Sequence, residues 1–291
     1  MNAIAILRIL LIAFTAIYVV VFAKDLIAHK EELKGKDRWI PLAFIGSITD
    51  FFDTWGIGCF ATTQAGFKFT NTCEDELMPG TLNVGHLVPV VLEAVLFFSF
   101  VDIDPLTLYL MIGAAVVGAL AGASIVCKWN VKVIRIALGC ALLALATVMF
   151  CKNAGIGPFG LVGTELGLRG MKLIIGLVVN FFLGALMMVG FGLYIPCTAL
   201  VALLGMNIGA AFPIMMGSCA FLMVASGFKF VKEGKYDRKA ALGLNISGCV
   251  GVVIAYLLMK YMFSLKTLTY IICVVMLYTS YTFFRDARRN K

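Results

Sequence analysis

The sequence predicts an all-α polytopic membrane protein, an inverted repeat of a broken-helix hairpin plus three transmembrane helices, preceded by one extra N-terminal helix. Three observations carry that prediction. The 291 residues are 62% hydrophobic and only 14% charged, against roughly 45–50% and 25% in a soluble domain. A set of motifs recurs in the same order in the two halves of the chain. The order of the strongly basic connection and its neighbour reverses between the two halves.

Apolar runs of about 20 residues, the length that crosses a bilayer core, recur from Ile4 onward with short polar interruptions, leaving no room for a soluble domain. The first run ends at Val21-Phe22-Ala23 and, with Arg8 near its start, has the outline of a secretory leader. Cleavage there would export the basic segment with Lys24, Lys30, Lys34, Lys36 and Arg38, the wrong side for it under the positive-inside rule. Residues 1–38 are therefore read as a retained transmembrane helix, its N-terminus outside, and a basic cytoplasmic linker.

Residues 39–151 read as the first repeat and 173–291 as the second, joined by a Gly/Pro-rich extracellular connector over 152–172. Ile45-Gly46 and Asp50-Phe51-Phe52 match Ile175-Gly176 and Asn180-Phe181-Phe182, and Gly56-Ile57-Gly58 matches Gly190-Phe191-Gly192. Asn83 to Pro89 matches Asn207 to Pro213 as Asn-x-Gly-x-x-x-Pro, and Gly113 and Gly118 match Gly243 and Gly248. Self-similarity of this order marks a tandem duplication. In the first half the connection near Asp102–Pro105 is acidic and the next, with Lys128, Lys132 and Arg135, is basic. In the second half the order reverses, with Lys229, Lys232, Lys235, Arg238 and Lys239 first and only Lys260 and Lys266 after. If basic loops are cytoplasmic, the halves point in opposite directions, and the tail with Arg285, Arg288, Arg289 and Lys291 is cytoplasmic.

Inversion requires an odd number of crossings per repeat, or a hairpin that enters and leaves on one side followed by three spans. Trp39 to about Phe67 has the length of such a hairpin, broken at Gly56 and Gly58, and Leu173 to about Leu204 repeats it around Gly190 and Gly192. Spans follow at roughly 86–102, 107–126 and 133–151, then 210–227, 240–259 and 267–284. Non-helical backbone at membrane depth persists only where protein buries it or a wet cavity lines it. Gly113, Gly118 and Gly122 are read instead as positions of close helix packing. Phe51, Phe52, Phe181 and Phe182 are expected to pack the broken helices together, and Met187 and Met188 to fill core.

Discontinuous helices in inverted repeats are the architecture of secondary transporters, with the binding site near the bilayer midplane. Half-helices beginning after Gly58 and Gly192 would present free N–H groups and a partial positive charge, which attract anions. Thr62, Thr63, Gln64, Asn83, Asn180 and Asn207 could complete an oxyanion site around Gly56, Gly58, Gly190 and Gly192; Thr198 serves either there or as a local helix partner. Asp50 and Asp53 lie three apart on one helix face, where a carboxylate is costly and functional by default. They are the expected proton-coupling acids, and Asn180 in place of Asp50 keeps the charge on one side of the pseudo-symmetric site. His86 and Glu93, seven apart, read as either a proton relay or an interfacial pair. Two ligands at that spacing are too few for a metal. Glu74, Asp75 and Glu76 read as solvated.

The net charge of +8 is spread over the connections and so points to membrane orientation, not to nucleic acid. The nine cysteines contain no Cys-x-x-Cys pair and read mostly as small apolar fillers, with a redox or sulfur-relay role at Cys59 or Cys197 as the alternative.

The stretch "IGSITDFFDTWGIGCFATTQAGFK", followed by "PGTLNVGH" with Pro89 and then "IGAAVVGALAGA", resembles the sulfite exporter TauE/SafE family of membrane permeases over nearly the whole chain. Pro196 stands where that family has a Pro in its second hairpin. Many members carry a run of glycines at the break, whereas this chain has Gly56-Ile57-Gly58 after an aspartate pair. The resemblance implies a proton-driven permease for small sulfur-containing anions such as sulfite or organosulfonates. The expectation is thus a non-enzymatic cell-membrane transporter whose partners are a small anion, protons and the lipid bilayer, with no cofactor and no nucleic acid. A passive anion channel and an intramembrane aspartyl protease are the alternatives; the protease needs its aspartates on facing helices.

Overall fold

The computed structural model describes residues 3–34, 38–98, 103–157, 163–258 and 266–289. Lys36, Asp102, Lys260, Lys291 and the middle of the 152–172 connector lie outside the described residues. Among those described, every regular element is helical. α1 is Ala3–Ala28, α2 Trp39–Thr54, α3 Cys59–Thr70, α4 Met78–Gly85, α5 Leu87–Phe97, α6 Pro105–Val126 and α7 Val131–Ala154. α8 is Gly170–Met187, α9 Tyr194–Leu203, α10 Ala211–Glu233, α11 Arg238–Leu257 and α12 Lys266–Arg288. Six of them are long and apolar enough to cross a membrane, seven if the bent pair α4/α5 counts as one span. The chain is an all-α polytopic membrane protein.

Both Gly-x-Gly stretches break the helix. α2 stops at Thr54 and α3 starts at Cys59, with Gly56 at φ +82° and Gly58 at φ +94° between them, a region that glycine enters without a Cβ clash. α8 stops at Met187 and α9 starts at Tyr194, with Gly190 at φ +90°.

Polar contacts sort the helix ends onto two faces. On the basic face, Arg38 at the head of α2 donates to the carbonyl of Thr72, just past α3, at 2.7 Å, and to Asp237 at 2.5 Å. Lys68 near the end of α3 meets Asp75 and Asp286, Arg135 of α7 meets Asp75, and Arg238 meets Asp25 and Glu32. On the other face, Arg169 at the head of α8 pairs with Asp104 at the head of α6, and Asn207, just past α9, donates its N–H to the carbonyl of Glu165 at 2.8 Å. The first hairpin therefore enters and leaves by the basic face and the second by the opposite one, which is the inversion expected from loop charge.

The repeats interlock. α2 packs along α11, and α8 along α6, so the long arm of each hairpin lies on the penultimate helix of the other repeat. Close approach is set by small residues: Gly46 against Leu244 and Ser247, Gly251 against Ser47, Gly118 against the Phe181 backbone, and Gly122 against Ala185. The final helices α7 and α12 pack on each other.

Four sequence expectations need correction. Residues 78–85 form buried α4, so the span expected to start at 86 starts a helix earlier. α4 and α5 meet at 41°, because Pro89 has no N–H to give to the Gly85 carbonyl four residues back. Asp75 is not solvated: cations from α3 and α7 converge on it, leaving its side chain 9% exposed. Gly113 faces outward with open space beside it, unlike Gly118 and Gly122. Phe182 also faces outward, since Asn180 and Leu183 take the inner positions of α8.

Candidate functional site

The tips of the two hairpins meet inside the helical body. Gly58 and Gly192 line the same two small cavities, each of about 20 Å³, enough for about one water molecule. One is walled by Asp53, Cys59, Met187, Tyr194 and Cys219. The breaks are also tied directly: Gln64 on α3 donates from Nε2 to the carbonyl of Gly190 at 2.8 Å.

The last turn of α2 carries the acids. Asp53 Oδ1 accepts the backbone N–H of Cys59 at 2.8 Å, so a carboxylate from the end of one half-helix sits on the first amide of the next. That is the anion-receptive end of a helix. Asp53 Oδ2 is buried with no hydrogen-bond partner among the described residues, and Asp53 as a whole is 1% exposed. The second tip is poorer in donors, because Pro196 removes an N–H from the first turn of α9.

One turn back along α2, Asp50 faces His86 at the α4/α5 kink, with both carboxylate oxygens 2.9 Å from Nδ1. The other ring nitrogen, Nε2, lies 2.9 Å from the Thr63 hydroxyl. An Nδ1–H donor to Asp50 with Nε2 accepting from Thr63 satisfies every contact. Further along α5, Glu93 receives the hydroxyl of Tyr194 on Oε2 at 2.9 Å and lies 2.7 Å from the Thr54 hydroxyl through Oε1. Asp50, Thr54, Thr63, His86 and Glu93 are all fully buried.

Of the expected site residues, the structure brings Asp50, Asp53, His86, Glu93, Thr63, Gln64, Gly58, Gly190 and Gly192 together, and Gly56 lies in the same break. Others lie elsewhere. Asn207 is exposed and caps the N–H of Gly209. Thr62 and Thr198 bond carbonyls of their own helices. Asn83, in α4, bonds the Pro79 carbonyl and reaches Met187 O at 3.4 Å. Asn180 joins the Met111 carbonyl and Ser218 where α8 meets α6 and α10. A short polar side chain inside a helix often bonds its own backbone, and the repeat match alone does not separate that use from a ligand-facing one.

Thr54, Tyr194 and Cys219 escaped the sequence reading. Tyr194 follows the second break as Phe60 follows the first, so the repeat alignment held a signal for it. Thr54 and Cys219 had none beyond their neighbours. Asp50, Cys59 and His86 also place a carboxylate oxygen, a thiol and a ring nitrogen within 4.8 Å of one another, a set that comparing His86 with Glu93 alone could not reveal. Both ring nitrogens of His86 already have partners, so the trio is a hydrogen-bonded pair with a thiol beside it.

Comparison with family models, with curated proteins and with solved structures gave no match for this chain.

Proposed function

We propose that the protein is a secondary transporter that moves a small sulfur-containing oxyanion, such as sulfite or an organosulfonate, together with protons by alternating access at the paired breaks. The observation that carries this reading is the carboxylate of Asp53 seated on the first N–H of α3. A cargo oxyanion and the Asp53 carboxylate compete for that one donor. When Asp53 takes up a proton its grip on the N–H weakens and the anion can enter, so anion and proton travel together. Asp50 and His86, bonded to each other one turn away, provide a second place for a proton beside the cargo.

Two inverted hairpins meeting tip to tip give the alternation a physical basis, since each tip is held by a hairpin rooted on a different face. The sulfur class of the cargo rests on the resemblance to the TauE/SafE permeases. Taking the basic face as cytoplasmic puts the N-terminus of α1 outside and the C-terminus of α12 inside the cell membrane.

Purified protein in liposomes, assayed for labelled sulfite or organosulfonate flux with and without a pH gradient, tests the proposal. Flux driven by the gradient is expected. Absence of flux for every such anion overturns the cargo, and flux indifferent to the gradient makes the protein a passive anion channel.

A further inference from the structure

Three oxygens in line, the Asp50 carbonyl, Thr54 Oγ1 and Glu93 Oε1, do not have enough hydrogens among them if the Glu93 carboxyl group is ionised. Thr54 Oγ1 lies 2.8 Å from the Asp50 carbonyl and 2.7 Å from Glu93 Oε1, yet a threonine hydroxyl owns a single hydrogen. With Glu93 ionised both neighbours are acceptors, and one of the two short O···O contacts contains no hydrogen. A proton on Oε1 resolves the count. Glu93 then donates to Thr54, Thr54 donates to the Asp50 carbonyl, and Tyr194 donates to Oε2 at 2.9 Å.

The surroundings agree. Among the described residues, the charged and titratable groups that face Glu93 are Asp50 and Asp53 of α2, Cys59 of α3, Tyr194 of α9 and Cys219 of α10, while His86 is engaged by Asp50. None of these is a lysine or arginine that could neutralise a carboxylate. The repeat alignment through Pro89 and Pro213 sets Glu93 opposite Gly217, so the acid belongs to the first repeat only. Its phenol partner, Tyr194, is the first residue of α9 in the second.

We infer that Glu93 is held as the neutral acid and acts as a positioning residue, a hydrogen-bond hub that locks the end of α2 to the start of α9. The proton that moves belongs to Asp53 or to the Asp50–His86 pair, and Glu93 keeps the two tips in register while they exchange it. This role rests on the proposed transport; the protonation state does not.

Infrared spectroscopy of the purified protein in liposomes at neutral pH tests the protonation state. A carboxylic-acid C=O band is expected that disappears in Glu93→Gln and moves to higher frequency in Tyr194→Phe, where the bond to the C=O is lost. An unchanged acid band in a folded Glu93→Gln protein overturns the inference. If that variant does not fold, by helical circular dichroism and monodisperse elution, Tyr194→Phe decides, and an unshifted band overturns it. In the flux assay Glu93→Gln retains transport and its pH profile, whereas Glu93→Ala loses transport. A flattened pH profile in Glu93→Gln overturns the positioning role and makes Glu93 a coupling acid. Wild-type protein without flux but with the acid band sinks the transport reading and leaves the neutral acid standing.

Discussion

Replacing Asp53 by asparagine separates the charge of this side chain from its shape. The amide Oδ1 can still accept the Cys59 N–H that Asp53 accepts at 2.8 Å, so α3 keeps its cap and the protein folds. An oxyanion that claims this N–H in the wild type must displace a charge-assisted bond, about 1.5–3 kcal/mol; in the variant it displaces a neutral one, about 0.5–1.5 kcal/mol. The difference, about 1–1.5 kcal/mol, corresponds to about 5- to 13-fold tighter anion binding by the variant wherever wild-type Asp53 is ionised. Because wild-type Asp53 takes up a proton when the anion binds, its affinity rises as pH falls and approaches that of the variant, whose pH dependence lacks the Asp53 contribution. Equilibrium binding of labelled sulfite to detergent-solubilised protein over a pH series reads this directly. A folded Asp53→Asn protein that keeps the wild-type pH dependence, or binds more weakly at every pH, refutes the competition between carboxylate and cargo.

Further outcomes follow from the packing around the site and at the opposite face. Asp104 accepts the Thr107 N–H as the cap of α6, and the Arg169 fork holds its carboxyl below the ordinary range, with the Thr107 bonds adding to the effect. A lowered folded value stabilises above the unfolded value near 3.8 and is lost as pH falls below it. Asp104→Ala should therefore cost about 1 kcal/mol at neutral pH, most of it the cap and little of it the exposed ion pair, and thermal unfolding below pH 3.8 should show the gap closing. Gly248→Ala aims a methyl group at the Asp50 carboxylate and Pro89, for a loss of about 1–3 kcal/mol from overpacking, whereas Gly113→Ala enters open space and should be neutral or gain up to about 1 kcal/mol of helix propensity. Thermal midpoints in the reverse order would contradict the α2–α11 packing. Gln64→Leu removes the bond to the Gly190 carbonyl, leaving that carbonyl unpaired at a cost of about 1–3 kcal/mol, and should slow sulfite flux more than it lowers expression.

The sequence by itself determined the membrane class, the duplication and the inversion. Hydrophobic length, ordered motif matches and loop charge are local quantities, summed along the chain without knowing what touches what. It also marked both breaks, because paired glycines in an apolar run have few other uses, and it marked Asp50, Asp53, His86 and Glu93, because ionisable groups at that depth are costly enough to stand out. Only the tertiary structure decided which groups these acids meet. His86, at the α4/α5 bend, meets Asp50 of α2 and not Glu93, and Thr54 and Tyr194 join through contacts between segments far apart in the chain. Contacts with distant segments likewise hold Asn180 at Met111 and Ser218, while Asn207 and Thr198 bond their own chain neighbours. Asparagine and threonine look alike in sequence whether they bond a neighbouring carbonyl or face a cavity, since the choice depends on which acceptor the folded chain brings within about 3 Å.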